Sequence, residues 1–170
     1  MTKGATLSAK VMLLGDIGVG KTSLAQRFVF DRFEPDYKTT IGVDVFTHDL
    51  DLGPKCDDAR LRLVLWDTDG DFGSRIFETV YLAGASAAIV VSDATRPATI
   101  VKMAALIAQF EARFPGRPAY AIVNKIDVAP VIRAERSLQE LSVVYTSAKT
   151  GEGVTAMFFE LGCAIWRRGV

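Results

Sequence analysis

Short apolar runs alternate with longer amphipathic stretches along the chain. Those at 9–14, 43–52, 60–66, 87–92, 119–124 and 142–146 have the length and composition of strands. Helical periodicity predicts helices at 21–30, 98–113, 131–140 and 153–167. In 98–113, Ile100, Met103, Ile107 and Phe110 recur at helical spacing and predict a core-facing stripe. Ala87-Ala88-Ile89-Val90-Val91 is apolar without alternation, as a strand covered on both faces should be. Strands that alternate with helices predict a mostly parallel sheet with helices on both faces. Segments 43–52 and 60–66 have no helical stretch between them and are punctuated by Gly53-Pro54, which predicts an antiparallel hairpin at the sheet edge. The expected fold is α/β: a mixed six-stranded sheet with one antiparallel edge hairpin. In such sheets ligands bind at the carboxyl ends of the strands. The loops after residues 14, 66, 92, 124 and 146 are therefore the ones to inspect.

Composition changes this picture little. At 170 residues, nearly half of them hydrophobic, one domain spanning 1–170 with a proper core is expected. Basic and acidic residues balance at twenty each, so no charge excess argues for nucleic acid or an anionic membrane as partner. Cys56 and Cys163 are far apart and unaccompanied, which suits neither a disulfide framework nor a zinc motif and fits a reducing cytoplasm. His48 is the single histidine and is expected at the surface. No signal-peptide core, membrane-spanning run, acylation motif or C-terminal prenylation cysteine is evident, so no direct membrane anchor is expected in this chain.

The chemistry is carried by motifs in those loops. Gly15-Asp16-Ile17-Gly18-Val19-Gly20-Lys21-Thr22 matches the phosphate-binding pattern G-x-x-x-x-G-K-[ST]. It follows an apolar strand, Lys10–Leu14, and precedes the helix starting at Ser23, the context the pattern requires. Asp16, Ile17, Gly18, Val19, Gly20, Lys21, Thr22 and Ser23 form the candidate cradle. Backbone N–H groups and the helix N-terminus would face one anion there. Lys21 would reach the β- and γ-phosphates, and the Thr22 hydroxyl would hold Mg²⁺. In Trp66-Asp67-Thr68-Asp69-Gly70, Asp67 suits a carboxylate facing Mg²⁺ and Gly70 a backbone N–H facing the γ-phosphate. Asn124-Lys125-Ile126-Asp127 places a carboxylate, Asp127, able to accept two hydrogen bonds from guanine, a donor pair adenine lacks. In Thr146-Ser147-Ala148-Lys149, the backbone could cap the base.

With these motifs in order, the chain resembles a small GTPase of the Ras superfamily, and most resembles the Rab family, over essentially residues 8–168. The resemblance implies a P-loop NTPase fold of the small G-domain type, GTP and GDP as ligands, and Mg²⁺ as cofactor. Thr39-Thr40-Ile41-Gly42-Val43-Asp44 resembles the Rab first switch, which implies that Thr40 coordinates Mg²⁺ in the GTP state and that Phe33 packs on the guanine. Tyr81-Leu82-Ala83-Gly84-Ala85 resembles the end of the second switch, and Ser92-Asp93-Ala94-Thr95 the family's Tyr-Asp-Val-Thr. The family implies effector, exchange-factor and GTPase-activating partners, here through residues 36–46 and 68–82. Of the aromatic triad with which Rab proteins bind effectors, the matching positions are Val45, Trp66 and Tyr81, so one aromatic is missing. From the apolar side chains of the second switch, Phe77 and Leu82 are expected in the core. Phe72, Ile76, Val80 and Tyr81, with Trp66 and Ile41, are expected to form an exposed patch.

Three departures sit where the family performs hydrolysis. Asp71 takes the place of the Gln that orients the attacking water. It is shorter and, when ionised, has no N–H to donate. A carboxylate near the γ-phosphate costs about 4 kcal/mol at 4 Å and an effective dielectric near 20. Asp71 is therefore expected to swing away or bind a cation; the alternative is a general base. Ile17 replaces a Gly or Ser and crowds the same space. Asp69 replaces an Ala and adds a charge, or is simply a solvated loop residue. The nucleotide-holding residues are intact. Two readings follow: a switch with slow hydrolysis, with Lys21, Thr40, Gly70 and Asp71 as its catalytic set, and a non-hydrolysing GTP-bound scaffold. A third, an adenine-nucleotide kinase, conflicts with Asn124-Lys125-Ile126-Asp127.

Overall fold

The computed structural model describes residues 6–36, 38–129 and 141–169. Six strands form one sheet: β1 (Leu7–Gly15), β2 (Val43–Asp51), β3 (Arg60–Thr68), β4 (Ala87–Asp93), β5 (Ala119–Asn124) and β6 (Val143–Tyr145). Three described helices pack on it: α1 (Lys21–Phe30), α2 (Pro97–Arg113) and α3 (Val154–Arg168). The strand order is β2-β3-β1-β4-β5-β6. Only the β2–β3 pair is antiparallel, with Val45 opposite Trp66, and it lies at one edge as the pattern predicts. The predicted helix at 131–140 lies outside the described residues.

Each face of the sheet has its own core, because alternate residues of a strand point to opposite faces. Val11 and Leu13 of β1, Leu63 and Leu65 of β3, and Ile89 and Val91 of β4 pack with Leu24 of α1 and Met157, Phe158 and Leu161 of α3. Met12, Leu14, Ala88 and Val90 face the other way, onto Ile100, Met103, Ile107 and Phe110 of α2. The predicted α2 stripe is thus the buried one. All seven residues of β4 are buried, as a strand covered on both faces requires.

Two sequence expectations change in three dimensions. The β2–β3 turn, a 3₁₀ turn at Pro54–Cys56, folds over α3 and brings the Cys56 and Cys163 sulfurs to 2.9 Å, both buried. Burial pushes the Cys163 thiol up to about 11. His48 is half-buried rather than free at the surface, with its ring edge-on to Phe28 at 4.6 Å. No helix among the described residues is long and apolar enough to cross a membrane.

Candidate functional site

The carboxyl ends of β1, β3, β5 and β6 surround a cavity of about 650 Å³. Its floor is the turn from β1 into α1. That turn needs glycine where the path is tightest. Gly20 has φ of +103°, and a Cβ there would lie 2.3 Å from Asn124 Nδ2. Ile17, Gly18, Gly20, Lys21, Thr22 and Ser23 line the cavity. Val19 is buried in the core, and the Asp16 side chain is engaged elsewhere, by Lys102 at 2.7 Å. Lys21 is buried, and its ammonium donates to the carbonyls of Gly15 at 2.8 Å and Asp16 at 2.9 Å. Burial pulls it down to about 8, against the opposing field of Asp67.

Beside Lys21, three side chains from three elements converge. Thr22 Oγ lies 2.8 Å from Thr40 Oγ and 2.5 Å from Asp67 Oδ2, and Thr40 Oγ is 3.5 Å from the same carboxylate oxygen. Asp67 is fully buried, and burial raises it to about 6, partly offset by the Thr22 hydrogen bond and by Lys21. Its Oδ1 is buried with no described hydrogen-bond partner. Adjacent oxygens of a Mg²⁺ octahedron with bonds near 2.1 Å lie about 3 Å apart, a span the two hydroxyls match. The hard-oxygen donor set and the orphaned carboxylate oxygen both fit that cation.

At the other end, Asp127 lines the cavity, and its Oδ1 accepts from Ser147 Oγ at 2.7 Å. Ser147 is fully buried behind it, so its side chain orients the carboxylate, while Ala148 and Lys149 line the cavity. Asn124 Oδ1 accepts from Thr146 Oγ at 3.0 Å and the Ala148 N–H at 3.2 Å, while Nδ2 donates to the Val19 carbonyl at 3.1 Å. Lys125 Nζ donates to the Gly18 carbonyl at 2.6 Å and pairs with Asp93 at 2.7 Å. Phe33 and Thr40 line the cavity from the segment before β2.

The segment after β3 is less as expected. Gly70 lines the cavity and sits against the phosphate loop; a Cβ on it would lie 2.4 Å from the Ile17 nitrogen. Asp69 lines the cavity and its charge acts on Lys21, as an added charge in the site should, so it is more than a solvated loop residue. Its carboxylate accepts the Asp71 N–H at 2.9 Å and caps the 3₁₀ segment Gly70–Glu78. Asp71 is exposed and outside the cavity lining, and Arg75 donates to its carbonyl. Ile76 belongs to the core, 1% exposed, and not to the outer patch expected of it; the 3₁₀ segment turns it onto the sheet. Leu82 is buried as expected, and Phe77 is half-buried. Ile41, Val45 and Val80 are exposed, next to half-buried Trp66, Phe72 and Tyr81, whose rings lie 6.0–6.4 Å apart around Tyr81.

Of the groups behind the phosphate loop, sequence motifs mark Asp93, Thr95 and Lys125 but miss Arg96. Asp93 at the end of β4 accepts from Lys125, from the Thr95 N–H and hydroxyl, and from Arg96. Burial works to raise it, but the Lys125 and Thr95 hydrogen bonds win and hold it at about 2. Arg96 Nη2 also donates to the Ile17 carbonyl at 2.6 Å. No local pattern marks Arg96, because its partner is distant in sequence.

The chain that carries this site is similar to known proteins over most of its length. The Roc (Ras of Complex) domain of DAPkinase, as a family, matches residues 10–127. The GTP-binding protein ypt5 of Schizosaccharomyces pombe is 35% identical over 162 residues, covering 90% of this chain and 75% of its own length. Ras-related protein RABF2a of Arabidopsis thaliana is 34% identical, covering 91% of this chain and 80% of its own length. Ras-related protein SEC4 of Saccharomyces cerevisiae is 33% identical, covering 89% and 72%. With this sheet order and these relatives spanning most of its length, the chain belongs to the Rab family of Ras-type small GTPases.

Proposed function

We propose that this chain is a guanine-nucleotide switch whose intrinsic GTP hydrolysis is slow. Asp127 reads the guanine, with Ser147 orienting its carboxylate. Phe33, Ala148 and Lys149 enclose the base. The phosphate turn and Lys21 hold the β- and γ-phosphates, whose charge further favours the cationic form of Lys21. Thr22, Thr40 and Asp67 would hold Mg²⁺, which when bound would supply neutralisation of phosphate charge. Thr40 belongs to the first switch and meets Thr22 at 2.8 Å, so this contact would tie the first switch to the phosphate end of the site. Gly70 couples the second switch to the same end of the cavity. Effectors, exchange factors and activating proteins are proposed to read residues 36–46 and 68–82, where Ile41, Val45 and Val80 are exposed.

The observation that carries slow hydrolysis is Asp71. It stands at the position that positions water in the family, has no N–H to donate when ionised, and lies outside the cavity lining. Water then lacks the side-chain amide that would orient it, although Asp69 and Gly70 of this segment line the cavity, while Lys21 and the turn still hold the phosphates. Ile17, which lines the cavity, narrows the space for an activating partner's side chain. The same observation favours the second reading, a GTP-loaded scaffold that does not turn over. Single-turnover hydrolysis by pure protein separates them. A slow rate that rises about tenfold in Asp71→Gln, roughly 1.4 kcal/mol of barrier, supports the switch. No turnover in either protein supports the scaffold, and a fast parent slowed by the substitution makes Asp71 a general base.

A further inference from the structure

The phosphate turn is held from outside through its carbonyls. In a planar trans peptide the C=O of one residue and the N–H of the next lie on opposite edges. Pinning a carbonyl on one side therefore aims the following N–H to the other. Three successive carbonyls are pinned here: Ile17 by Arg96 Nη2 at 2.6 Å, Gly18 by Lys125 Nζ at 2.6 Å, and Val19 by Asn124 Nδ2 at 3.1 Å. The N–H groups of Gly18, Val19 and Gly20 are turned away from these donors. None of the three donates to a described backbone carbonyl. Two of the pins come from the Asn124-Lys125 motif. The third comes from Arg96, ahead of α2, which belongs to no motif in the chain.

We propose that Arg96 is a positioning residue that locks the Ile17–Gly18 peptide with its N–H facing the γ-phosphate end of the cavity. Its end of the turn is the one against which Gly70 packs, while the other two pins lie farther along. The guanidinium is anchored before it reaches the loop: Nε donates to Asp93 Oδ2 at 3.1 Å, and Asp93 is itself fixed by Lys125 and Thr95. A planar fork bridging two acceptors in this way is preorganised, which a flexible ammonium is not. The neighbouring peptide is tied as well. Asp16 Oδ1 accepts the Ile17 N–H at 2.9 Å, and Lys102 of α2 holds the other oxygen of that carboxylate at 2.7 Å. The Ile17 amide is thereby committed to Asp16, which leaves the Gly18 N–H as the first loop donor available to a ligand.

The consequence is a bias between nucleotides. It rests on the guanine-nucleotide reading above and concerns the γ end alone. Removing Arg96 frees one peptide at that end, while Asn124 and Lys125 still hold the rest. Arg96 is half-exposed, so the loss is that of a partly solvated charge-assisted hydrogen bond.

The test is the ratio of dissociation constants for GDP and a non-hydrolysable GTP analogue, measured on parent and Arg96→Ala at saturating Mg²⁺. Arg96→Ala should weaken the GTP analogue about tenfold and GDP about threefold or less, so that the ratio moves. Arg96→Lys keeps the charge and a donor for one carbonyl, and should recover part of the loss. It also serves as the variant to read if the alanine protein does not fold. Equal losses for both nucleotides, or a ratio unchanged in the variants, overturn the proposal. Parent protein that binds neither nucleotide overturns the guanine reading instead, which keeps the two failures apart.

Discussion

In the proposed function, base recognition turns on one carboxylate. Asp127 is exposed at the rim of the cavity, and Ser147 orients its carboxylate. Replacing it leaves two guanine donors without acceptors, at roughly 1–3 kcal/mol per group. Asp127→Asn should therefore shift preference from GTP towards xanthosine triphosphate, whose 2-oxo group accepts from the new amide. Competition binding with the two nucleotides checks this, and unchanged preference for GTP would remove Asp127 from the base site. Ile17 and Asp71 meet at the γ-phosphate end in the proposed function, so their substitutions should interact. Ile17→Gly alone should change the single-turnover rate little, because no glutamine is present to use the space. The Ile17→Gly/Asp71→Gln double variant should exceed the product of the two single effects, since both act on one water and one phosphate. A strictly multiplicative result would mean that Ile17 and Asp71 act independently.

Among the elements, α3 illustrates how burial and local sequence divide the work. Its glycine caps bracket it: Gly153 precedes the helix and Gly169 ends it, both left-handed. What holds it to the sheet is an apolar face, including Phe158, which is fully buried and stacked on Phe28 of α1 with ring centroids 4.0 Å apart. Phe158→Ala should cost about 3–5 kcal/mol of stability through lost burial and the remaining cavity. Urea unfolding of the GDP-loaded protein measures it, and a cost below about 1 kcal/mol would mean that α1 and α3 close over the gap. The nucleotide-facing ends of the elements were legible in the sequence because each motif begins where an apolar run stops. The 3₁₀ segment after β3 was not. Its apolar residues Phe72, Ile76 and Phe77 fall at helical spacing, but a positive-φ kink at Gly73 breaks the segment into 3₁₀ turns. That kink decides that Ile76 goes inward while Val80 stays out.

Across the whole molecule, the switch reading makes a distributed prediction. Thr40 of the first switch and Gly70 of the second both close on the phosphate end, one through the hydroxyl cluster and one against Ile17. Hydrogen exchange over 36–44 and 68–82 should accordingly be slower with a non-hydrolysable GTP analogue than with GDP, while β1, β4 and β5 exchange alike in both. Identical protection of the two segments in both states would rule out a conventional switch.

The amino-acid sequence by itself determined the sheet, its edge hairpin, the α2 stripe and the order of the ligand-binding loops. Those depend on periodicity, chain direction and short motifs, all of which are local. Every described strand and helix lies within two residues of its expected bounds. Tertiary structure decided whatever depends on residues distant in the chain. It brought the Cys56 thiol against Cys163 across 107 positions and set Asp71 outside the cavity. It also brought Arg96 to a carbonyl 79 positions away. Such contacts leave no trace in local composition, because a hydrogen bond to a backbone carbonyl demands a donor at the right place and nothing of the side chain it meets.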